Sequence, residues 1–184
     1  TVTGVQTCAL PISSVLDSGT KVIVGADGRA IDWRAAKRDI PDLPDCLAKP
    51  VAACTVVRGG GRRVVLMGDS VARMWIPAFT EIARQEGWTF SVASYPGCPW
   101  QRDLQYAGTQ TVADECTRHR EDFYARVVPG LRPDVLVLAQ HGYDDPVSPN
   151  RFAVGGDVVK IDDPGFEPLL QQRSAASLTQ LRAP

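Results

Sequence analysis

The sequence predicts an α/β fold: a three-layer α/β/α arrangement around a parallel sheet. Three observations carry this. Short apolar runs at Arg63–Met67, Thr89–Ala93 and Asp134–Ala139 have the length and composition of buried strands. Helix-compatible stretches separate them, and strand–helix repeats of this spacing imply parallel strands covered by helices. The first strand leaves through Gly68-Asp69-Ser70, which puts a hydroxyl at the carboxyl edge of the sheet, where open α/β sheets bind ligands.

The first residues do not enter this argument. Val2 to Ile12 reads as a translated sequencing adapter: Ala9-Leu10-Pro11-Ile12 is one frame of GCTCTTCCGATC, and Val2-Thr3-Gly4-Val5-Gln6-Thr7-Cys8 is encoded by the bases upstream of it. A signal-peptide remnant would need a basic start and a longer apolar run. The chain is therefore expected to be a fragment of an assembled gene. Residues 13–61 form a hairpin and connector, and 62–184 form the α/β domain. The net charge of -1 argues against a nucleic-acid-binding face. No stretch reaches the roughly 18 apolar residues of a membrane span.

Taken in order, Lys21–Val24 and Ala30–Trp33 flank an Asp27-Gly28 turn and read as a small hairpin. Residues 39–61 are loop-rich. Gly59-Gly60-Gly61 is not a phosphate loop, because it precedes its strand and no Lys-Ser/Thr follows. After the first strand, Pro77 would interrupt a helix interior, so a short turn after Ser70 and a main helix from about Ile76 are expected. Thr89–Ala93 is the second strand. A helix over about Val112–Val127 carries Val112, Cys116, Phe123 and Val127 on one face and ends at Pro129-Gly130. Asp134–Ala139 reads as a fully buried third strand. A glycine- and proline-rich loop and a helix from about Phe166 complete the chain.

With Cys8 set aside, four cysteines remain, which permit three pairings. Zinc is a poor reading, since no Cys-x-x-Cys occurs. The favoured pairings are Cys46–Cys54 and Cys98–Cys116, which imply an oxidising compartment. Four buried free thiols are the alternative. Ser70 has two readings on these residues alone, a nucleophile or a helix N-cap.

Together the blocks carry a resemblance. Strand-Gly68-Asp69-Ser70-helix, strand-Pro96-Gly97-Cys98-Pro99 and strand-His141-Gly142-Tyr143-Asp144-Asp145 are similar to the first three blocks of the SGNH/GDSL esterase superfamily, whose sheet is flavodoxin-like. The closer match is the extracytoplasmic SGNH domain that follows the membrane-embedded acyltransferase-3 module of bacterial cell-envelope O-acyltransferases. The lead-in Asp42-Leu43-Pro44-Asp45-Cys46, the run Gly68 to Ala78 and Cys116-Thr117-Arg118 share that likeness, which covers about residues 39–184.

The resemblance implies that Ser70 is the nucleophile and that its own N–H and that of Gly97 form the oxyanion hole. Asp144 takes the third-block position, where the family has asparagine. An ionised aspartate cannot donate the asparagine's hydrogen bond. The family's base comes late as Asp-x-x-His, a motif this sequence lacks. Truncation before that block is the expected explanation. His119, on an apolar helix stripe, reads as packing. His141, at the same sheet edge as Ser70, is a weaker site candidate.

The implied partners are an acylated donor, a glycan acceptor and the membrane acyltransferase domain, with no nucleic acid and no cofactor. The alternative is a catalytically silent extracytoplasmic domain that binds a glycan or a partner. A receiver-type domain is disfavoured, because the acidic residues and late lysine it needs are missing.

Overall fold

The computed structural model describes Asp32 and residues 45–106, 109–142, 151–154, 157–160 and 162–182. Two compact units divide the chain, Thr1–Ile40 and Pro41–Pro184. Apart from Asp32, which has no regular structure, everything described belongs to the second unit. The adapter-like segment, the expected hairpin and the turn holding Asp144 lie outside the described residues.

The described chain begins with the Cys46–Cys54 segment, whose last turn is a 3₁₀ helix, Val51–Cys54, followed by strand β1, Thr55–Val57. Strand β2, Arg63–Gly68, leads into a one-turn helix α1, Ser70–Met74, and then α2, Ile76–Glu86. Next come β3, Thr89–Ser94, and the two-residue β4, Gln105–Tyr106. Helix α3, Gln110–Asp122, continues without a break through a π-helical segment, Phe123–Val127, into α4, Val128–Leu131. Strand β5, Val135–Ala139, precedes β6, Arg151–Val154, and β7, Asp157–Lys160, and α5, Phe166–Leu181, follows.

The main sheet has the order β1-β3-β2-β5. Strand β2 pairs in parallel with β3 on one side and with β5 on the other. Strand β1 runs antiparallel on the outer edge of β3. The central strand is buried on both faces because each face meets its own apolar layer. Val65 and Met67 pack with Phe123, Val127 and Val128. Val64 and Leu66 pack with Ala72, Ile76 and Ala83. Leu178 and Leu181 of α5 join the first layer. This is the three-layer α/β/α arrangement, and it explains why β2 is an unbroken apolar run rather than an alternating one.

Several elements depart from the sequence reading. The connector over residues 39–61 contains a strand, since β1 pairs Thr55 with Ser91 and places its hydroxyl 3.0 Å from that of Ser91. The loop expected after β5 contains β6 and β7, which form a separate antiparallel sheet with β4. Strand β5 is half-buried rather than fully buried, because among the described residues only β2 pairs with it.

The helix expected to stop at Pro129 continues to Leu131, and Arg132 ends it in the left-handed conformation at φ 48°. The π turn accounts for this. The Val128 N–H reaches back five residues to the Phe123 carbonyl, and Pro129 then enters at the start of a new α turn, where its missing N–H is tolerated. No helix among the described residues is long and apolar enough to cross a membrane.

Candidate functional site

Three loops leave the same edge of the sheet. In the parallel ladders Gly68 stands opposite Ser94 on β3 and Ala139 on β5. Ser70, Gly97 and His141 lie two or three residues beyond those partners. Parallel strands joined by helical crossovers bring ends that are distant in sequence to one edge.

The turn after β2 is tightly specified. Gly68 has φ 152°, and a Cβ there would fall 1.7 Å from the Ala139 carbonyl oxygen. Only glycine lets β2 and β5 approach this closely. The N-cap of α1 is Asp69, not Ser70. One carboxylate oxygen of Asp69 accepts the Val71 N–H at 2.8 Å. The other accepts the His141 N–H at 2.9 Å, and the residue is 4% exposed. A single buried carboxylate thereby fastens the loop after β5 to the turn after β2. Ser70 is left as the first helical residue, exposed, its hydroxyl without a hydrogen-bond partner among the described residues.

The loop after β3 is anchored to that turn by its backbone, since the Tyr95 N–H donates to the Gly68 carbonyl at 3.1 Å. Tyr95-Pro96-Gly97-Cys98 closes a turn through Cys98 N–H to Tyr95 O, also 3.1 Å. Gly97 has φ 67°, so its place after Pro96 follows the Pro-Gly order of a type II turn. Its N–H has no acceptor among the described residues. Cys98 is bonded to Cys116 of α3, and Cys46 to Cys54, with Cα–Cα separations of 5.1 and 5.2 Å. These are the two pairings favoured from the sequence, and the first of them holds the Gly97 turn against α3.

The two histidines part company. His141 is half-buried, and its Nδ1 lies 2.8 Å from the Gly142 carbonyl. A carbonyl can only accept, so that nitrogen carries the proton and Nε2 is left basic in the neutral ring. His119 comes from α3 and not from one of the three edge loops. It is 7% exposed and stacks on Tyr95 with ring centroids 4.1 Å apart. Burial holds its pKa below the usual histidine value, although Asp45 and Glu115 pull the other way. Among the described residues no group of histidines, cysteines and carboxylates could hold a metal ion.

A family model described as the SGNH domain fused to AT3 domains matches residues 37–183. The chain belongs to this family. A search of the curated proteins and a search of the solved structures found no match. The match spans the whole described domain, from the Cys46–Cys54 segment to the end of α5. Membership supports an enzyme of the hydrolase or acyltransferase class and an association with a membrane acyltransferase module. What the sequence reading missed in this SGNH domain is Asp69 as a tie between two loops. The motif named the residue, but its second hydrogen bond is made 72 positions away in the chain.

Proposed function

We propose that the full-length protein uses Ser70 for acyl transfer, with O-acetyl the expected group, or for ester hydrolysis on a cell-envelope glycan. The domain would act outside the cytoplasm, tethered by the membrane acyltransferase module. The observation that carries this reading is the exposed, unbonded Ser70 hydroxyl at the sheet edge shared with the Gly97 turn. In the proposed step, the Ser70 oxygen attacks the donor's carbonyl carbon. The Ser70 and Gly97 N–H groups hold the negative oxygen that develops, and the donor's leaving group departs with a proton. A glycan hydroxyl, or water, then takes the acyl group and restores Ser70. Each oxyanion donor of this kind contributes about 3 kcal/mol to lowering the barrier.

The base is the open position. The sequence has no Asp-x-x-His, and the His119 ring is stacked on Tyr95, with no hydrogen bond to Ser70 among the described residues. Asp144 is retained for the third-block position beside the oxyanion donors, and His141 is the candidate surrogate base. In the well-studied protease case, loss of the base costs about 10⁶ in rate. This chain is therefore expected to turn over an aryl acetate at close to background, with Ser70→Ala changing little. A longer protein that includes Asp-x-x-His should show turnover abolished by Ser70→Ala. Ser70-dependent turnover by the present chain would point to His141 as a surrogate base, with His141→Ala the deciding variant. Absence of Ser70-dependent turnover in the longer protein would refute the acyl-transfer reading in favour of a silent binding domain.

A further inference from the structure

Against α1, the short helix that begins at Ser70, lies a cavity of about 280 Å³. Its walls are the carboxyl end of β3, α1, the middle of α3 and the Asp45-Cys46 segment. Two of its residues adjoin the site in sequence, Arg73 three places after Ser70 and Tyr95 two before Gly97. We infer that this cavity receives one neutral sugar ring of the acyl acceptor, with Arg73, His119 and the Asp45 and Glu115 carboxylates reading its hydroxyls.

Unused hydrogen-bonding capacity points to a ligand. The His119 Nδ1 is buried with no partner among the described residues, although buried polar atoms are nearly always paired. Arg73 is only weakly engaged. Its Nε lies 3.4 Å from the Ser94 hydroxyl and one terminal nitrogen 3.3 Å from the Ser94 carbonyl, both longer than the usual ~2.9 Å. It makes no ion pair among the described residues.

Charge selects the ligand class. An anion attracted by Arg73 would meet Asp45 and Glu115 on the same walls, and a cation would meet Arg73. A polyol suits both signs, because each hydroxyl donates to a carboxylate or accepts from the guanidinium. A neutral imidazole can do either. Val92 and Phe123 supply the apolar surface on which the C–H face of a pyranose can rest. The volume falls just under the ~300 Å³ lower bound of drug-sized sites, so a single ring fits and an oligosaccharide does not.

This inference rests on the glycan reading of Ser70 chemistry, and the test separates the two. The 184-residue chain is titrated with methyl glucoside, methyl galactoside, methyl mannoside and methyl N-acetylglucosaminide, and separately with acetate and inorganic phosphate. Amide and imidazole NMR shifts of Ser94, Tyr95 and His119 are followed. At least one pyranoside should saturate these shifts, and the anions should leave them unmoved. Arg73→Met and His119→Phe should each weaken that binding at least about tenfold. His119→Phe keeps a ring against Tyr95, so it decides the matter if Arg73→Met does not fold. Absence of saturable shifts with every pyranoside, competition by the anions, or unchanged affinity in His119→Phe would each overturn the inference. Pyranoside binding without Ser70-dependent turnover in the longer protein removes the acyl-transfer reading and leaves the sugar site standing. Turnover without pyranoside binding does the reverse.

Discussion

Replacing Asp69 dissects the clamp at the sheet edge, because its two oxygens do separable things. Asparagine is as good an N-cap as aspartate, so Asp69→Asn keeps the bond to the Val71 N–H. Its amide nitrogen then faces the His141 N–H, donor against donor. A buried donor left unsatisfied costs about 1–3 kcal/mol, and the 4% exposure of Asp69 gives water little access to repair it. Asp69→Ala loses the cap as well, about a further 1 kcal/mol.

The expected order of stability is wild type, then Asn lower by about 2 kcal/mol, then Ala lower by about 3. With a urea m-value of about 2 kcal/mol/M, the Asn step moves the midpoint by about 1 M. Urea titration of the oxidised chain followed by circular dichroism reads this directly. Hydrogen exchange adds the site resolution: the His141 amide should lose protection in both variants, the Val71 amide only in Asp69→Ala. An Asn variant within about 0.5 kcal/mol of wild type, the noise of ordinary surface changes, would refute the clamp. So would equal loss at both amides in Asp69→Asn.

Two further outcomes are expected. Alkylation of unreduced protein followed by intact-mass analysis should leave Cys46, Cys54, Cys98 and Cys116 unmodified. Chain-entropy arithmetic on sequence separations of 8 and 18 assigns about 2.5 kcal/mol to Cys46–Cys54 and about 3 kcal/mol to Cys98–Cys116, so the second Cys→Ser pair should cost more in urea. For pH, burial depresses His119, so the unfolded chain binds its proton first. The stability this represents is present above the ordinary histidine pKa of about 6.5 and is lost as pH falls from there through the lower folded value. The urea midpoint should therefore drop from pH 7.5 to pH 5, and the drop should shrink in His119→Phe. A His119 ring that titrates in NMR at or above 6.5 would contradict this.

What could be read from the chain was what local pattern encodes. The apolar run of β2, the Gly-Asp-Ser turn and the start of α2 at Ile76 under the constraint of Pro77 are all short-range facts. The rest depended on partners distant in sequence. Strand β1 is three residues long, and only its register with Phe90 and Ser91 makes it a strand. Strands β6 and β7 support each other and β4, inside a stretch whose glycines and prolines read as loop. The burial of His119 was legible from its place on the α3 stripe. The cavity it lines was not, because Asp45, Arg73, Ser94 and Glu115 come from four separate segments. The position of Ser70 could be read, but its freedom from the capping role required seeing Asp69 perform it.

The bond between Cys98 and Cys116 also sets how much of the Gly97 turn survives reduction. The turn sits immediately before one of the two sulfurs, so a covalent link and two backbone hydrogen bonds place it together. With the sulfurs reduced, the loop would keep the bonds from Tyr95 N–H to Gly68 O and from Cys98 N–H to Tyr95 O, but lose its covalent tie to α3. If the domain works outside the cytoplasm as proposed, that tie would form where disulfides persist.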